Sequence, residues 1–246
     1  ANLQQDTYPI LFEGLISSYY INHPSLKNRI KLFREANIEH HYYYHLALAT
    51  KQLANKLFYF IEAFKLKLFE KKLKHADIIY AISTTDEAYF KANYPNIKSL
   101  YIPCFHPNNE VSSKVGASDY ILYHGNLSVP ENTKVAIYLI ENVFSRIKER
   151  VIIAGLNPPE NLQKLAAKYQ NIALKANLSQ EEMADLMTNA HIHILITFQA
   201  TGMKIKLLHS LCSGRHIIVN DAMIQGSDLE NLCHLIDTEK DIIKTI

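Results

Sequence analysis

The stretch TFQATGMKIKLLHSLCSG, residues 197–214, places Lys204 and Lys206 two apart, just behind Gly202. They open a predicted helix that follows the apolar strand HIHILI. A helix start offers unpaired N–H groups and the positive end of the macrodipole, so it suits an anion such as phosphate. Lysines in a first turn oppose the dipole by roughly a few tenths of a kcal/mol each, a cost that an anion would relieve. Thr201 and Gly202 stand at the mouth of this loop. A second loop of similar build lies in YILYHGNLSVPENTK, where Gly125 and Asn126 end a strand ahead of a helix. Glycine there lets a ligand approach the backbone. Each loop by itself reads equally as an ordinary turn, with the lysines on a solvated helix face. Two such loops in one domain favour a phosphate-bearing ligand.

Other chemistries lack their residues. There is no GxGxxG, no GxxxxGK[ST] and no GxSxG. His40 and His41 are adjacent, and His191 and His193 share a strand face that reads as core or rim rather than as a chelate. Asp and Glu do not cluster in a DxD-like metal site, so no metal is expected. Net charge is +2 over 246 residues, which gives no sign of nucleic-acid binding. The three cysteines, Cys104, Cys212 and Cys233, are far apart and fit a reducing, cytoplasmic compartment. No apolar run approaches the ~20 residues of a membrane span, and no signal peptide opens the chain.

The elements that must position these loops alternate along the chain. Strand-length apolar runs fall at 9–15, 30–36, 77–83 and 98–103, then at 119–125, 150–155, 171–176, 191–197, 216–221 and 232–237. Helical patterns separate most of them, which predicts an α/β fold with parallel sheets. Ser179 with Glu182 reads as a capping box, and Ser128 with Pro130 and Glu131 reads as helix-start chemistry. The polar segment CFHPNNEVSSKVGASD divides four strands from six. The expected organisation is a domain over 1–108, a linker over 109–118 and a domain over 119–246. One long amphipathic helix is predicted over 51–76, with Leu53, Leu57, Phe60, Ile61, Phe64, Leu68 and Leu73 near 3–4 spacing and seven lysines against Glu62 and Glu70 on the other face. It reads as a solvated face, or as a contact with an anionic membrane surface or a charged acceptor.

The ordered series YILYHGNLSVPENTKVAIYLI, VIIAGLNPPENLQKL, NIALKANLSQEEMADLMTNAHIHIL and TGMKIKLLHSLCSGRHIIVND resembles the nucleotide-binding domain of GT-B glycosyltransferases of the glycosyl transferases group 1 kind. PILFEGLISSYY, REANIEHHYY and ADIIYAISTTDEAYF are similar to the second half of that family's acceptor domain. The resemblance implies two Rossmann-like domains, the N-terminal one incomplete and the C-terminal one shortened. It implies a retaining, metal-independent transfer of sugar from a UDP- or GDP-sugar to a cell-surface glycan or lipid-linked acceptor, with no cofactor. Gly125, Asn126, Thr201, Gly202, Lys204 and Lys206 match the donor diphosphate site, with Lys134 a second candidate cation. Ala176 and Asn177 match the base site and His209 the ribose site. Glu13, Asn37 and Glu39 match the acceptor-side cleft.

Departures are specific. Thr201 and His209 stand where relatives have two glutamates, Asn126 where an arginine is common, and Ile16 and Ala36 where histidines are common. No catalytic base is therefore named. Two rival readings follow: a catalytically degenerate GT-B partner protein, and a nucleotide-sugar epimerase on the same scaffold. The expected location is the cytoplasm, with peripheral contact at the inner membrane face through helix 51–76.

Overall fold

The computed structural model describes residues 7–50, 52–198 and 204–246. The chain divides into two compact units, one ending at Phe105 and the other beginning at His106.

The N-terminal unit runs β1 (Ile10–Glu13), β2 (Lys31–Arg34), α1 (Glu39–Ala49), α2 (Leu53–Glu70), β3 (Ile78–Ala81), α3 (Thr84–Asn93) and β4 (Lys98–Tyr101). Its strands pair in parallel in the order β1-β2-β3-β4. Phe33, Leu73, Ile79 and Phe90 are buried at its centre. Ser83 caps α3, its hydroxyl accepting from Asp86 N–H at 3.0 Å, which satisfies a helix-start donor that would otherwise lack a partner.

The helix expected over 51–76 is shorter. α2 ends at Glu70, and Lys71–His75 tighten into a 3-10 turn; Lys51 lies outside the described residues. Glu70 is the reason visible in the packing. Its side chain is buried and held by groups from α1 and α3, which fixes the end of α2 against its own unit.

The C-terminal unit runs β5 (Tyr120–Asn126), α4 (Pro130–Asn142), β6 (Arg150–Leu156), α5 (Glu160–Ala166), β7 (Ile172–Ala176), α6 (Gln180–Asn189), β8 (Ile192–Leu195), α7 (Ile205–Ser213), β9 (His216–Val219), α8 (Asp221–Ile224), β10 (His234–Leu235) and α9 (Glu239–Thr245). All its strand pairs are parallel, in the order β10-β9-β8-β5-β6-β7. Both faces are covered. On β5, Ile121 and Tyr123 join the cluster under α4 and α5, while Tyr120 and Leu122 join the one under α6. That period of two explains why the strand reads as apolar throughout.

Residues 102–119 form neither helix nor strand. Part of this segment is pinned to the C-terminal unit: Ser112 N–H donates to Cys212 O at 2.7 Å and Lys114 Nζ to Asn189 Oδ1 at 2.7 Å. The capping box at Ser179 and Glu182 is present, with both reciprocal bonds made. The expected cap at Ser128 is not. Val129 is the N-cap of α4, and the Ser128 hydroxyl donates instead to Asn126 Oδ1 at 2.7 Å. Pro130 does take the first helical position, where a missing N–H costs nothing.

Candidate functional site

Strand order in the C-terminal sheet reverses between β5 and β8, and the carboxyl side of such a switch point is where open parallel sheets leave a crevice. Both loops singled out in the sequence emerge there. Gly125 and Asn126 end β5, and the segment leading to α7 follows β8. A pocket of about 610 Å³ opens at the ends of β5 and β6. Gly125, Gly155 and His124 form its floor, Leu178, Gln180 and Met183 one wall, and Asn108 and His209 another. Among the described residues, no carboxylate lines it.

Glycine is required at 155 by the close approach of two strands. A Cβ there would sit 2.0 Å from the carbonyl oxygen of Gly125. At Gly125 a Cβ would press on the Asn132 amide at 3.3 Å. Asn132 is a residue that the sequence reading missed, and it organises the loop: its Nδ2 donates to Asn126 O at 2.9 Å, and its Oδ1 lies 3.5 Å from Lys206 Nζ. Gly125, Asn126 and Lys206 are thus brought together around one amide.

Lys206 is half-buried in the first turn of α7, a turn without any acidic residue. Burial lowers its pKa to about 8, Glu131 works against the shift, and Lys204 adds to it. Lys204 is the N-cap residue of α7 and makes no side-chain cap bond. Thr201 and Gly202 lie outside the described residues. Glu131, also missed in sequence, ties the switch-point loops together. Its Oε1 accepts from Thr197 Oγ1 and, at 3.0 Å, from Phe198 N–H. Asn220 clasps Thr197 from the next strand through bonds of 3.1 and 2.8 Å. Only the tertiary placement of β8 beside β5 makes these two residues readable as loop organisers.

His209 borders the pocket, and burial followed by the nearby His106 holds its imidazole below the usual range. His124 is buried beneath it, bonded to Ser210 at 2.9 Å, with burial pushing its pKa down to about 3. Lys134 projects from the second turn of α4 into an adjacent hollow of about 580 Å³, with its Nζ 5.1 Å from the Phe198 ring. Ala176 and Asn177 do not line the larger pocket; the wall is built from the residues that follow them. Asn177, at φ 55°, accepts from Asn157 N–H at 2.8 Å and so fixes the neighbouring turn.

The acceptor-side candidates stand at the carboxyl end of the N-terminal sheet. Glu13 ends β1 and accepts from Arg34 at 3.1 Å. Asn37 follows β2, and Glu39 opens α1, its carboxyl raised by burial. Behind them lies a buried set that the sequence reading did not single out. Glu70 accepts from His40 at 3.1 Å, Tyr89 at 2.7 Å and Tyr94 at 3.1 Å. Burial alone would raise the Glu70 carboxyl, and these bonds overcome it and hold it low. Glu35 behaves oppositely. Burial and then the Asp86 carboxylate raise its pKa to about 9, despite a bond from Ile82 N–H at 3.3 Å. Among the described residues, no group of three or more His, Cys, Asp or Glu is placed to hold a metal ion.

Residues 118–239 match the family described as glycosyl transferases group 1. No curated protein matches the chain. Solved structures similar to it share the fold at low identity. A TarM mutant from S. aureus, in complex with fondaparinux, alpha-GlcNAc-glycerol and UDP, is 11% identical at a TM-score of 0.68, over 95% of this chain and 47% of that one. A structure described as trehalose-6-phosphate from E. coli bound with UDP-2-fluoro glucose is 8% identical at 0.67, over 98% and 64%. A UDP-forming alpha,alpha-trehalose-phosphate synthase from Burkholderia vietnamiensis is 9% identical at 0.63, over 94% and 60%. The chain thus spans from about half to under two thirds of the length of these neighbours. Its two parallel-sheet units are Rossmann-like units of the GT-B type. Residues 118–239 therefore carry a domain that matches the glycosyl transferases group 1 family.

Proposed function

We propose that the protein is a glycosyltransferase that takes a UDP- or GDP-sugar as donor and passes the sugar to a glycan or lipid-linked acceptor with retention. The observation that carries this reading is the half-buried Lys206, joined through Asn132 to the glycine-ended strand β5 beside a carboxylate-free pocket. A departing nucleoside diphosphate gathers negative charge as the glycosidic bond breaks. A cation already withdrawn from water stabilises that charge more strongly than an exposed one. In this reading the diphosphate lies over Gly125 and Asn126 against Lys206, with Lys204 beside it and Lys134 at the rim; Thr201 and Gly202 are assigned to it from the sequence alone. The base rests on the wall from Leu178 to Met183, just past Ala176 and Asn177. His209, its imidazole held below the usual range by burial and His106, hydrogen-bonds the ribose. No metal is needed, since Lys206 supplies the charge. Glu13, Asn37 and Glu39 serve the acceptor, and the three free cysteines suit a cytoplasmic setting. The fold match to neighbours solved with UDP or UDP-2-fluoro glucose supports the choice of donor class.

Calorimetric titration with UDP and GDP tests it. Lys206→Ala is expected to weaken diphosphate binding about 100-fold, as loss of a desolvated charge partner does. Binding to the unaltered chain is expected to fall as pH rises through about 8, because the bound form needs the protonated amine. Binding that survives Lys206→Ala unchanged removes the diphosphate assignment.

A further inference from the structure

α2 wears its apolar stripe on the outside. Leu53, Leu57, Ile61, Phe64 and Leu68 are 48–83% exposed. At 3.6 residues per turn these five fall within an arc of about 80°. The inward face of α2 is a different one, marked by the buried Ala63 and Glu70. α1 packs beside it, with Tyr44 5.7 Å from Phe60 ring to ring, and adds the exposed Tyr44 and Leu48 to the same helical pair. Soluble proteins seldom leave so continuous an apolar stripe in water.

The charges beside the stripe say what covers it. Lys56 and Lys67 lie along one border and Lys65 along the other, and Lys71, Lys72 and Lys74 follow in the turn that ends the helix. The acids of this segment are already engaged. Glu70 is buried against His40, and Glu62 accepts from Lys65 at 2.6 Å. A second copy of the chain would bring the same lysine borders against each other with no free carboxylate of α2 between them. An anionic surface meets the Lys56 and Lys67 border directly, while Lys65 is paired with Glu62 and Lys72 donates to Tyr19 O at 2.9 Å. An apolar stripe edged by lysines is also the form of a helix that lies in the plane of a lipid headgroup layer.

We infer that the outer face of the α1–α2 pair docks in-plane on an anionic lipid bilayer, with the leucine and phenylalanine side chains reaching below the headgroups. This surface belongs to the N-terminal unit alone, so the inference stands whether or not the donor assignment does. No crossing of the bilayer is involved; among the described residues, no helix is long and apolar enough for that.

The test is co-sedimentation of the full 246-residue chain with phosphatidylcholine vesicles, with and without about a third phosphatidylglycerol. Binding is expected only to the anionic vesicles and to weaken steeply with salt. Leu57→Gln with Phe64→Gln, both at exposed positions that leave the core intact, is expected to abolish it. Lys56→Gln and Lys67→Gln are each expected to weaken it roughly fivefold. Circular dichroism and UDP titration of the same variants check that the fold is unchanged. Absence of vesicle binding overturns the inference, as does binding that the Leu57 and Phe64 changes leave intact. So does concentration-dependent self-association, seen by sedimentation velocity, that those two changes abolish.

Discussion

Desolvation keeps two histidines neutral in the C-terminal unit and one carboxylic acid neutral in the N-terminal unit. Below the pocket, His124 and His193 lie with ring centroids 5.9 Å apart, and burial lowers their pKa values to about 3 and about 4. In the N-terminal unit, burial raises Glu35 to about 9. Each is kept neutral by the same desolvation, and the consequences for stability run in opposite directions with pH. The unfolded histidines take protons near pH 6.5 while the folded ones refuse them. The stability they represent is present above about 6.5 and is lost as pH falls toward 3. Unfolded Glu35 ionises near 4.5 while the folded carboxyl holds its proton to about 9. Its stability is present below 4.5 and is lost as pH rises across that window. A carboxylate-free, base-lined pocket suits an anion, whereas the acidic unit stores strain that grows with pH.

The largest expected effect tests what holds the acids in place. Glu70 is the acceptor for His40, Tyr89 and Tyr94 at once. Removing one member of a buried, hydrogen-bonded ionic set costs about 3–5 kcal/mol, because the partners are left unpaired. Glu70→Ala is therefore expected to lower the stability of the N-terminal unit by that amount. Hydrogen exchange resolved by segment reads the unit separately from its neighbour. A loss under about 1 kcal/mol would show that the three partners re-pair with water, and that Glu70 is not the keystone of this unit.

Next in size is Glu35→Gln. The amide is neutral in both folded and unfolded chains, so it removes the cost of keeping a carboxylic acid protonated. At pH 8 the variant is expected to be about 2–3 kcal/mol more stable than the natural chain, and at pH 4 no more stable. A gain of equal size at both values would mean that Glu35 is unfavourable through its shape rather than its proton. The contrast between the two units would then fail on the acidic side.

Neither of these residues was legible in the sequence, and the reason is physical. Glu35 and Asp86 are far apart along the chain and meet because β2 and β3 are neighbours in one sheet. Strands, in contrast, carry their signal locally. All ten expected strands are present, each within a few residues of its expected bounds, because an apolar run bounded by turn residues needs no knowledge of its partners. The same divide runs through the candidate site. Gly125 and Lys206 stood out by residue type and position after strands. Asn132, which joins them, and Glu131, which ties Thr197 and Phe198, had nothing local to distinguish them from ordinary helix-start residues. The stripe on α2 was legible as amphipathic, but periodicity alone does not say which face looks inward. Its exposure comes from α1 and the sheet packing against the opposite side.

The smallest effect sharpens the basic side. His193 Nε2 donates to Met187 O at 2.8 Å, its Nδ1 has no partner among the described residues, and Gly214 packs so closely that a Cβ there would lie 2.8 Å from the ring. Burial keeps the imidazole from its proton. His193→Gln can still donate to the carbonyl but cannot titrate. The acid limb of the C-terminal unit's stability is expected to become shallower by about 1 kcal/mol per pH unit between pH 6 and 4, close to the ~1.4 that one proton allows. Stability at pH 8 is expected to drop by about 1 kcal/mol from lost packing, which shifts the curve without altering its slope. The slope is the quantity to read, by denaturant titration at a series of pH values. An unchanged slope would assign the acid sensitivity to His124 alone and place its origin directly under the pocket.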